Sequence, residues 1–320
     1  MRTLLLCLDE DQVSDENRES LTSLIPNARL VISRNKKTIA EVLPKVEIAA
    51  GWVTREKIGT APRLRWMHQW WAGADWVLKQ PEAKRKDLLV TTSSGIHAIQ
   101  ITEHIFSFLL AFARGLPAAR DVQVGGTWHR PDNPVTFELY DKTLLVVGVG
   151  EIGSRTAEIG RALGMRVIGV RRNRETHVRA VEKMYAPNQL NEALPQADFV
   201  AVVTPLTNET RGMIGPREFE MMKNSSFIIN VGRGAVINEA ALVDALQKGL
   251  IAGAGLDTFE VEPLPDSSPL WAMDNVIITC HYAGDSPRYN ERAMELFLDN
   301  LSRYAAGTPL RNVVDTELGY

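Results

Sequence analysis

Leu144-Leu145-Val146-Val147-Gly148-Val149-Gly150-Glu151-Ile152-Gly153 decides the fold of this chain. An apolar strand runs into three glycines at G-x-G-x-x-G spacing, and a helical stretch follows as far as Leu163. Each glycine has its own task. The first permits a tight turn, the second lets the backbone approach a pyrophosphate, and the third allows helix and strand to pack closely. The helix that opens there offers unpaired N–H groups and a positive dipole end to phosphates. With strand and helix in place, the motif predicts dinucleotide binding at Gly148, Gly150, Glu151 and Ile152. A glycine-rich turn that binds nothing is the bland alternative.

On both sides of this stretch, strand patterns alternate with helix patterns. Upstream, apolar runs occur at Leu4–Leu8, Arg29–Ser33, Val46–Val53, Leu64–Trp70 and Leu88–Thr92. Downstream they recur at Met165–Val170, Phe199–Thr204, Ser226–Val231, Ala252–Leu256 and Val276–Cys280. This is an α/β layout of parallel sheets with helices on both faces. The six strands that start with the glycine loop amount to one dinucleotide-binding domain. A long helix is expected from Ala98 to Arg114, because Ile101, Ile105, Phe108, Leu109 and Phe112 form one apolar stripe. Gly115 and Pro117 stop it, and a looser stretch through Gly125-Gly126, Pro131 and Pro134 leads to the glycine-loop strand. A last helix is expected from Pro287 to Tyr304.

At 320 residues the chain exceeds the usual size of a single core, so two domains are expected. Hydrophobic content of 45% and charged content of 23% are ordinary for a globular protein, and a net charge of −3 gives no electrostatic case for nucleic acid or a membrane surface. No apolar run approaches a membrane span, and Leu4–Leu8 is too short for a signal segment. Cys7 and Cys280 suggest neither a disulfide framework nor a metal site, and a reducing cytoplasm fits them best. His97 and His104 lack ligand spacing, so no metal is expected.

In open α/β sheets, ligands sit beyond the carboxyl ends of the strands. Arg233, Glu262 and His281 each follow such an end. Reduction of a 2-keto acid creates an alkoxide that needs a proton, while the substrate carboxylate needs a cation. A histidine held by a carboxylate is a good proton donor, and arginine suits planar carboxylate recognition. Singly, each has a bland reading as a salt-bridged or solvated loop residue. Together, beside a nucleotide loop, they predict a catalytic trio.

The stretches Asn230-Val231-Gly232-Arg233-Gly234-Ala235-Val236-Ile237, Asp257-Thr258-Phe259-Glu260-Val261-Glu262-Pro263-Leu264-Pro265 and Pro205-Leu206-Thr207-Asn208-Glu209-Thr210-Arg211-Gly212, with His281, resemble the D-isomer-specific 2-hydroxyacid dehydrogenases. The likeness is strong from Thr91 to about Tyr282. Before that it rests on Gly73-Ala74-Asp75. The resemblance implies that Arg233 grips carboxylate and carbonyl oxygen, that His281 is the acid/base, and that Glu262 pairs with it. It implies a Rossmann-type domain, residues 98–285, inserted into a smaller flavodoxin-like α/β substrate domain, residues 1–97 and 286–320. Backbone amides near Ala72 and Gly73 would hold the substrate carboxylate. Asp257 and the Ala283-Gly284 turn would contact the nicotinamide end, while Thr204, Pro205 and Thr210 line the cofactor cleft, joined by Val231 and Gly232. The family is usually dimeric, which makes the helix from Ala98 the expected homodimer interface.

Two departures from the family pattern carry information. An NAD fingerprint wants an acidic residue about 20 residues past the glycines, to bind the ribose hydroxyls. Here the second strand ends in Arg171-Arg172-Asn173-Arg174, which predicts NADP over NAD, with Arg171 and Arg172 as ligands of the 2′-phosphate. A solvated basic turn would leave NAD equally acceptable. His97 stands where many relatives carry asparagine; a structural role is expected there, and His104 is expected to pack or hydrogen-bond. Trp66, Trp70, Trp71 and Trp76 are read as packing residues. Trp52, after its strand, is a candidate wall for the substrate side chain.

The expected activity is therefore reversible NADPH-dependent reduction of a 2-keto acid to a D-2-hydroxy acid. Its alternatives are a phosphoglycerate- or erythronate-type dehydrogenase and a non-enzymatic dinucleotide sensor. The chain's end at Tyr320 leaves no room for a regulatory domain, which weighs against the first, and the intact trio weighs against the second.

Overall fold

The computed structural model describes residues 2–53, 55–126, 128, 136–175 and 177–319, with backbone only at 55–57. Pro131 and Pro134 lie outside the described residues. His97–Asp285 forms one compact unit, and the segments before and after it form a second.

The N-terminal segment runs β1 (Thr3–Cys7), α1 (Asp15–Leu24), β2 (Arg29–Ile32), α2 (Lys36–Val42), β3 (Ile48–Gly51), β4 (Trp66–Gln69) and β5 (Leu89–Thr92). Ser14 and Asn35 start the two helices by accepting hydrogen bonds from the amides of Asn17 and of Lys37 and Thr38. The strands pair in parallel in the order β2-β1-β3-β4-β5, the flavodoxin-like arrangement. Every residue of β1 is buried. Leu4 and Leu6 join Trp66 and Trp70 in one core layer, while Leu5 and Cys7 join Met67 and Val90 in the other, because successive strand residues face opposite sides. Burial pushes the Cys7 thiol pKa up to about 12, which leaves it an inert packing group.

The inserted unit opens with α3 (Ala98–Arg114), α4 (Leu116–Val124), β6 (Thr143–Val147), α5 (Glu151–Ala162), β7 (Arg166–Val170) and β8 (Lys183–Tyr185). It continues with the short α6 (Leu190–Ala193), β9 (Phe199–Val202), α7 (Pro216–Met221), β10 (Phe227–Asn230), α8 (Glu239–Gln247), β11 (Gly253–Leu256) and β12 (Val276–Ile278). Its sheet order is β12-β11-β10-β9-β6-β7-β8, all parallel. The first strand, β6, sits inside, with the next two outward on one side and the later ones on the other. That is the Rossmann order with one added strand. Phe108 and Ile105 of α3 pack on Leu144 and Val146 at one face, and Phe219 and Leu242 cover Leu145 and Val200 at the other.

After the inserted unit, α9 (Tyr289–Ala306) returns to the first sheet and buries Ala293, Phe297 and Leu301 in the layer that holds Leu4 and Trp66. Val313 then bridges to Thr91 of β5.

Two expectations are corrected. The sheet has seven strands, not six: β8 is three residues of an edge strand, Lys183-Met184-Tyr185, too short to show a pattern. Gly115 does end α3, in a left-handed conformation at φ 63°, but Pro117 does not open a loose stretch. It lies in the first turn of α4, where its missing N–H costs nothing. The helix has the expected bounds, Ala98–Arg114, and the glycine-loop strand and the other strands lie where the periodicity puts them, with ends that differ by one or two residues. Among the described residues no helix is long and apolar enough to cross a membrane.

Candidate active site

The glycine loop follows β6 and delivers α5 to the carboxyl edge of the sheet. Gly148 has φ 106°, a conformation few side chains tolerate, and a Cβ there would lie 2.9 Å from the Thr204 amide. At Gly153 a Cβ would come within 2.2 Å of the Gly148 carbonyl oxygen, so helix and loop touch backbone to backbone. Gly150 is different, because nothing lies within 4 Å of where its Cβ would be. The turn and the packing need two of the glycines; the third faces open space, as a pyrophosphate seat requires. Glu151 and Ile152 occupy the first turn of α5, where amides lack helical partners. Across the loop, the Thr204 hydroxyl is buried with no hydrogen-bond partner among the described residues, an orphaned polar atom of the kind that a bound ligand satisfies. These groups fit a dinucleotide.

Beyond Thr204 the chain is stiffened by Thr210, whose hydroxyl donates to the Pro205 carbonyl at 2.7 Å and accepts from the Thr207 amide at 2.8 Å. Arg171 and Arg172 follow β7 directly. Arg172 meets Glu209 at 3.4 Å with both side chains largely in solvent, a pairing worth little energetically.

Three adjacent parallel strands, β10, β11 and β12, end at the same edge of the sheet. Arg233 follows the first, where the Asn230 side chain fixes the turn by accepting from the Gly232 amide at 3.1 Å and donating to the Arg233 carbonyl at 3.2 Å. Val231 is buried, its amide donating to the Val202 carbonyl at 3.3 Å. Glu262 follows the second, its Oε1 accepting from the Phe259 amide at 3.0 Å. His281 follows the third, with φ 53°, and its Nδ1 lies 2.7 Å from Glu262 Oε2. A carboxylate only accepts, so Nδ1 carries the hydrogen and Nε2 is left to face solvent on a side chain 47% exposed.

The turn that carries His281 is held by Asp257. Its carbonyl accepts from the His281 amide at 2.9 Å, and its carboxylate accepts from the Tyr282 and Ala283 amides, both at 3.1 Å. Thr279 donates to the same carboxylate at 2.6 Å and receives His104 Nε2 at 2.9 Å. Burial pushes the His104 pKa down, with Asp257 pulling partly the other way. Asp257 is thus a buried brace for the histidine turn. His104, expected to pack or hydrogen-bond, does both: it stacks edge-on against Phe108 and Tyr282 and bonds Thr279, a partner that its spacing in the sequence does not point to. Gly284 is fixed by Gln100, which donates to its carbonyl at 3.0 Å, and the His97 ring packs against it.

Trp52, Ala72 and Gly73 belong to the other unit. Trp52 is 40% exposed and stacks on Trp71 at 5.4 Å and on Tyr289 at 6.3 Å. Ala72 and Gly73 form a partly buried turn after β4. Trp66, Trp70 and Trp76 are core residues. No cluster of three or more potential metal ligands occurs among the described residues.

Residues 106–283 match the model of the D-isomer specific 2-hydroxyacid dehydrogenase NAD binding domain. The chain is 36% identical over 269 residues to a glyoxylate reductase of Aeropyrum pernix, covering 82% of this chain and 79% of that one. Among solved structures it is similar to a D-isomer specific 2-hydroxyacid dehydrogenase family protein of Aeromonas salmonicida, with a TM-score of 0.86, 32% identity, and coverage of 98% of this chain and 99% of that one. It is also similar to an NADPH-dependent glyoxylate/hydroxypyruvate reductase of Sinorhizobium meliloti solved with NADP and sulfate, with a TM-score of 0.83, 26% identity and full coverage of both, 100% each. With more than half of its length matched by the family model, the chain belongs to the D-isomer specific 2-hydroxyacid dehydrogenase family.

Proposed function

We propose that this protein reduces a small 2-keto acid to the D-2-hydroxy acid with NADPH. The observation that carries the reading is the His281–Glu262 pair at 2.7 Å, on the two strand ends next to that of Arg233 and on the edge that bears the glycine loop. The bound nicotinamide supplies the hydride. Arg233 pairs with the substrate carboxylate and polarises the keto oxygen. His281, its Nδ1 fixed on Glu262, holds a proton at Nε2 and gives it to that oxygen as negative charge develops there. Asp257 keeps the turn of His281 rigid, so that the ring meets the substrate at a set angle. Ala72 and Gly73, through their backbone amides, and Trp52 are proposed as further substrate-binding residues.

Arg171 and Arg172 favour NADPH, since the place of the acidic ribose ligand is taken by two cations. Thr204, Pro205, Thr210, Val231, Gly232, Asp257, Ala283 and Gly284 complete the cofactor side. The glyoxylate and hydroxypyruvate reductases among the relatives make those two acids the first substrates to test. A homodimer is proposed through the exposed apolar residues Leu110, Leu116 and Val124 of α3 and α4. The two free thiols suit a reducing cytoplasm.

The test is the initial rate of NADPH and NADH oxidation with 2-keto acids from glyoxylate to phenylpyruvate, beside a His281→Ala control. Turnover that falls by about 10²–10⁴ in the control supports the assignment. Turnover that survives the substitution overturns it.

A further inference from the structure

His68 lies on β4 with no exposed surface, and an imidazole buried to that degree must satisfy both ring nitrogens. Nδ1 is 2.7 Å from the Thr91 hydroxyl, and Nε2 is 3.2 Å from the Ser93 hydroxyl. The partners of those hydroxyls fix the direction of each bond. Thr91 Oγ1 accepts from the Trp66 indole N–H at 2.8 Å, and an indole can only donate. The Thr91 hydrogen is therefore available to Nδ1. Ser93 Oγ is 3.2 Å from the Gln69 carbonyl, which can only accept, so the Ser93 hydrogen goes there and its oxygen receives Nε2–H. Every hydrogen is then used, in one direction: Trp66 to Thr91 to His68 to Ser93 to the Gln69 carbonyl. The opposite tautomer leaves the Thr91 hydrogen without an acceptor. Burial also pushes the His68 pKa down to about 3, which keeps the ring neutral.

The chain ends on the residue that shapes the turn after β4. The Gln69 side chain donates to the Trp71 carbonyl at 3.1 Å and the Gly73 carbonyl at 2.7 Å, and accepts from the Trp76 indole at 2.7 Å. Tyr289 donates to the Trp70 carbonyl at 2.8 Å, and the Ser93 amide donates to the Trp71 carbonyl at 3.3 Å. The carbonyls of residues 70, 71 and 73 are thus all drawn inward. The amides of Ala72 and Gly73 donate to no group among the described residues. Successive free amides form a receptor for an anionic oxygen.

We propose that the Trp66–Thr91–His68–Ser93–Gln69 chain sets the carboxylate-binding turn at residues 71–73, with His68 and Ser93 as positioning residues for the 2-keto acid. The proposal rests on the function proposed above. Neither side chain touches substrate; both act through Gln69.

Ser93→Ala breaks the chain at its last link and removes a single oxygen. Expected is a rise of about tenfold in KM for glyoxylate or the preferred 2-keto acid, with kcat within about twofold and KM for NADPH unchanged. Ser93→Thr, which restores the hydroxyl, should recover the KM. An unchanged 2-keto acid KM in Ser93→Ala overturns the proposal alone, while a wild-type protein that turns over no 2-keto acid overturns the functional reading beneath it. Should Ser93→Ala fail to fold, ¹⁵N NMR of the wild-type protein decides. A hydrogen on His68 Nε2 between pH 6 and 8 supports the chain as drawn, and a hydrogen on Nδ1 overturns it.

Discussion

Glu262 holds His281 through one carboxylate oxygen, 2.7 Å from Nδ1, and holds its own loop through the other, which accepts from the Phe259 amide at 3.0 Å. Both contacts need an acceptor. A glutamine in this place has one acceptor and one donor, so it must face either the imidazole or the amide with the wrong group. Glu262→Gln should lower kcat by about 10²-fold through misplacement of the ring, with cofactor affinity retained. Steady-state kinetics alongside NADPH titration by fluorescence would check both parts, and loss of cofactor binding in the variant would argue against a local effect.

The glycines at 150 and 153 should respond in opposite ways to the same methyl group. Gly153→Ala drives its Cβ to 2.2 Å from the Gly148 carbonyl oxygen, which neither backbone can avoid. A drop of several degrees in Tm is expected, with cofactor binding lost alongside. Gly150→Ala meets nothing within 4 Å among the described residues, so its Tm should stay at the wild-type value while KM for NADPH rises at least tenfold. An unchanged KM in Gly150→Ala would mean that the pyrophosphate does not approach this backbone.

Arg171 and Arg172 follow β7 directly, at the place where an NAD fingerprint carries the acidic ligand of the ribose hydroxyls, and two cations there suit a 2′-phosphate. Arg171→Ser with Arg172→Ser should raise KM for NADPH about tenfold or more and leave KM for NADH nearly unchanged. Equal effects on both cofactors would demote the arginines to a solvated turn.

Acid should destabilise the protein in part through His68. Its folded-state pKa is lowered from 6.5 to about 3 by burial alone, so below pH 6.5 the unfolded chain takes up a proton that the folded chain refuses. The stability it contributes is complete above pH 6.5, and falls by about 1.4 kcal/mol per pH unit until the folded form itself protonates near pH 3. Denaturant unfolding of wild type and His68→Gln at pH 7, 6, 5 and 4 should show the difference narrowing as pH falls. A constant difference would mean that the ring takes up its proton in the folded state as readily as in the unfolded chain.

The architecture of this chain was legible where physical constraints act over short spans. The glycine loop, the Ala98–Arg114 stripe and the three strand ends bearing Arg233, Glu262 and His281 could be placed because each is decided by local spacing. The edge strand β8 was not, since three residues with one exposed lysine carry no period. The α4 helix was hidden by Gly115 and Pro117, which stop one helix and start the next with the same two residues. The brace under His281 was also out of reach. Asp257, Thr279 and His104 come from β11, β12 and α3, and their meeting depends on tertiary packing that no spacing rule encodes. Gln69 and Ser93 escaped for the same reason, one from each of two neighbouring strand ends.

Phe297 packs at 5.3 Å from Trp66 and joins Leu4 and Leu6 in one core layer, so one face of the first sheet is covered in part by a helix that follows the inserted unit in the chain. A ribosome making this protein therefore completes the inserted unit while α1 is the only helix over that face of the earlier strands among the described residues. The N-terminal sheet waits through the synthesis of His97–Asp285 with one hydrophobic face incompletely covered, an interval in which exposed apolar surface favours misassociation.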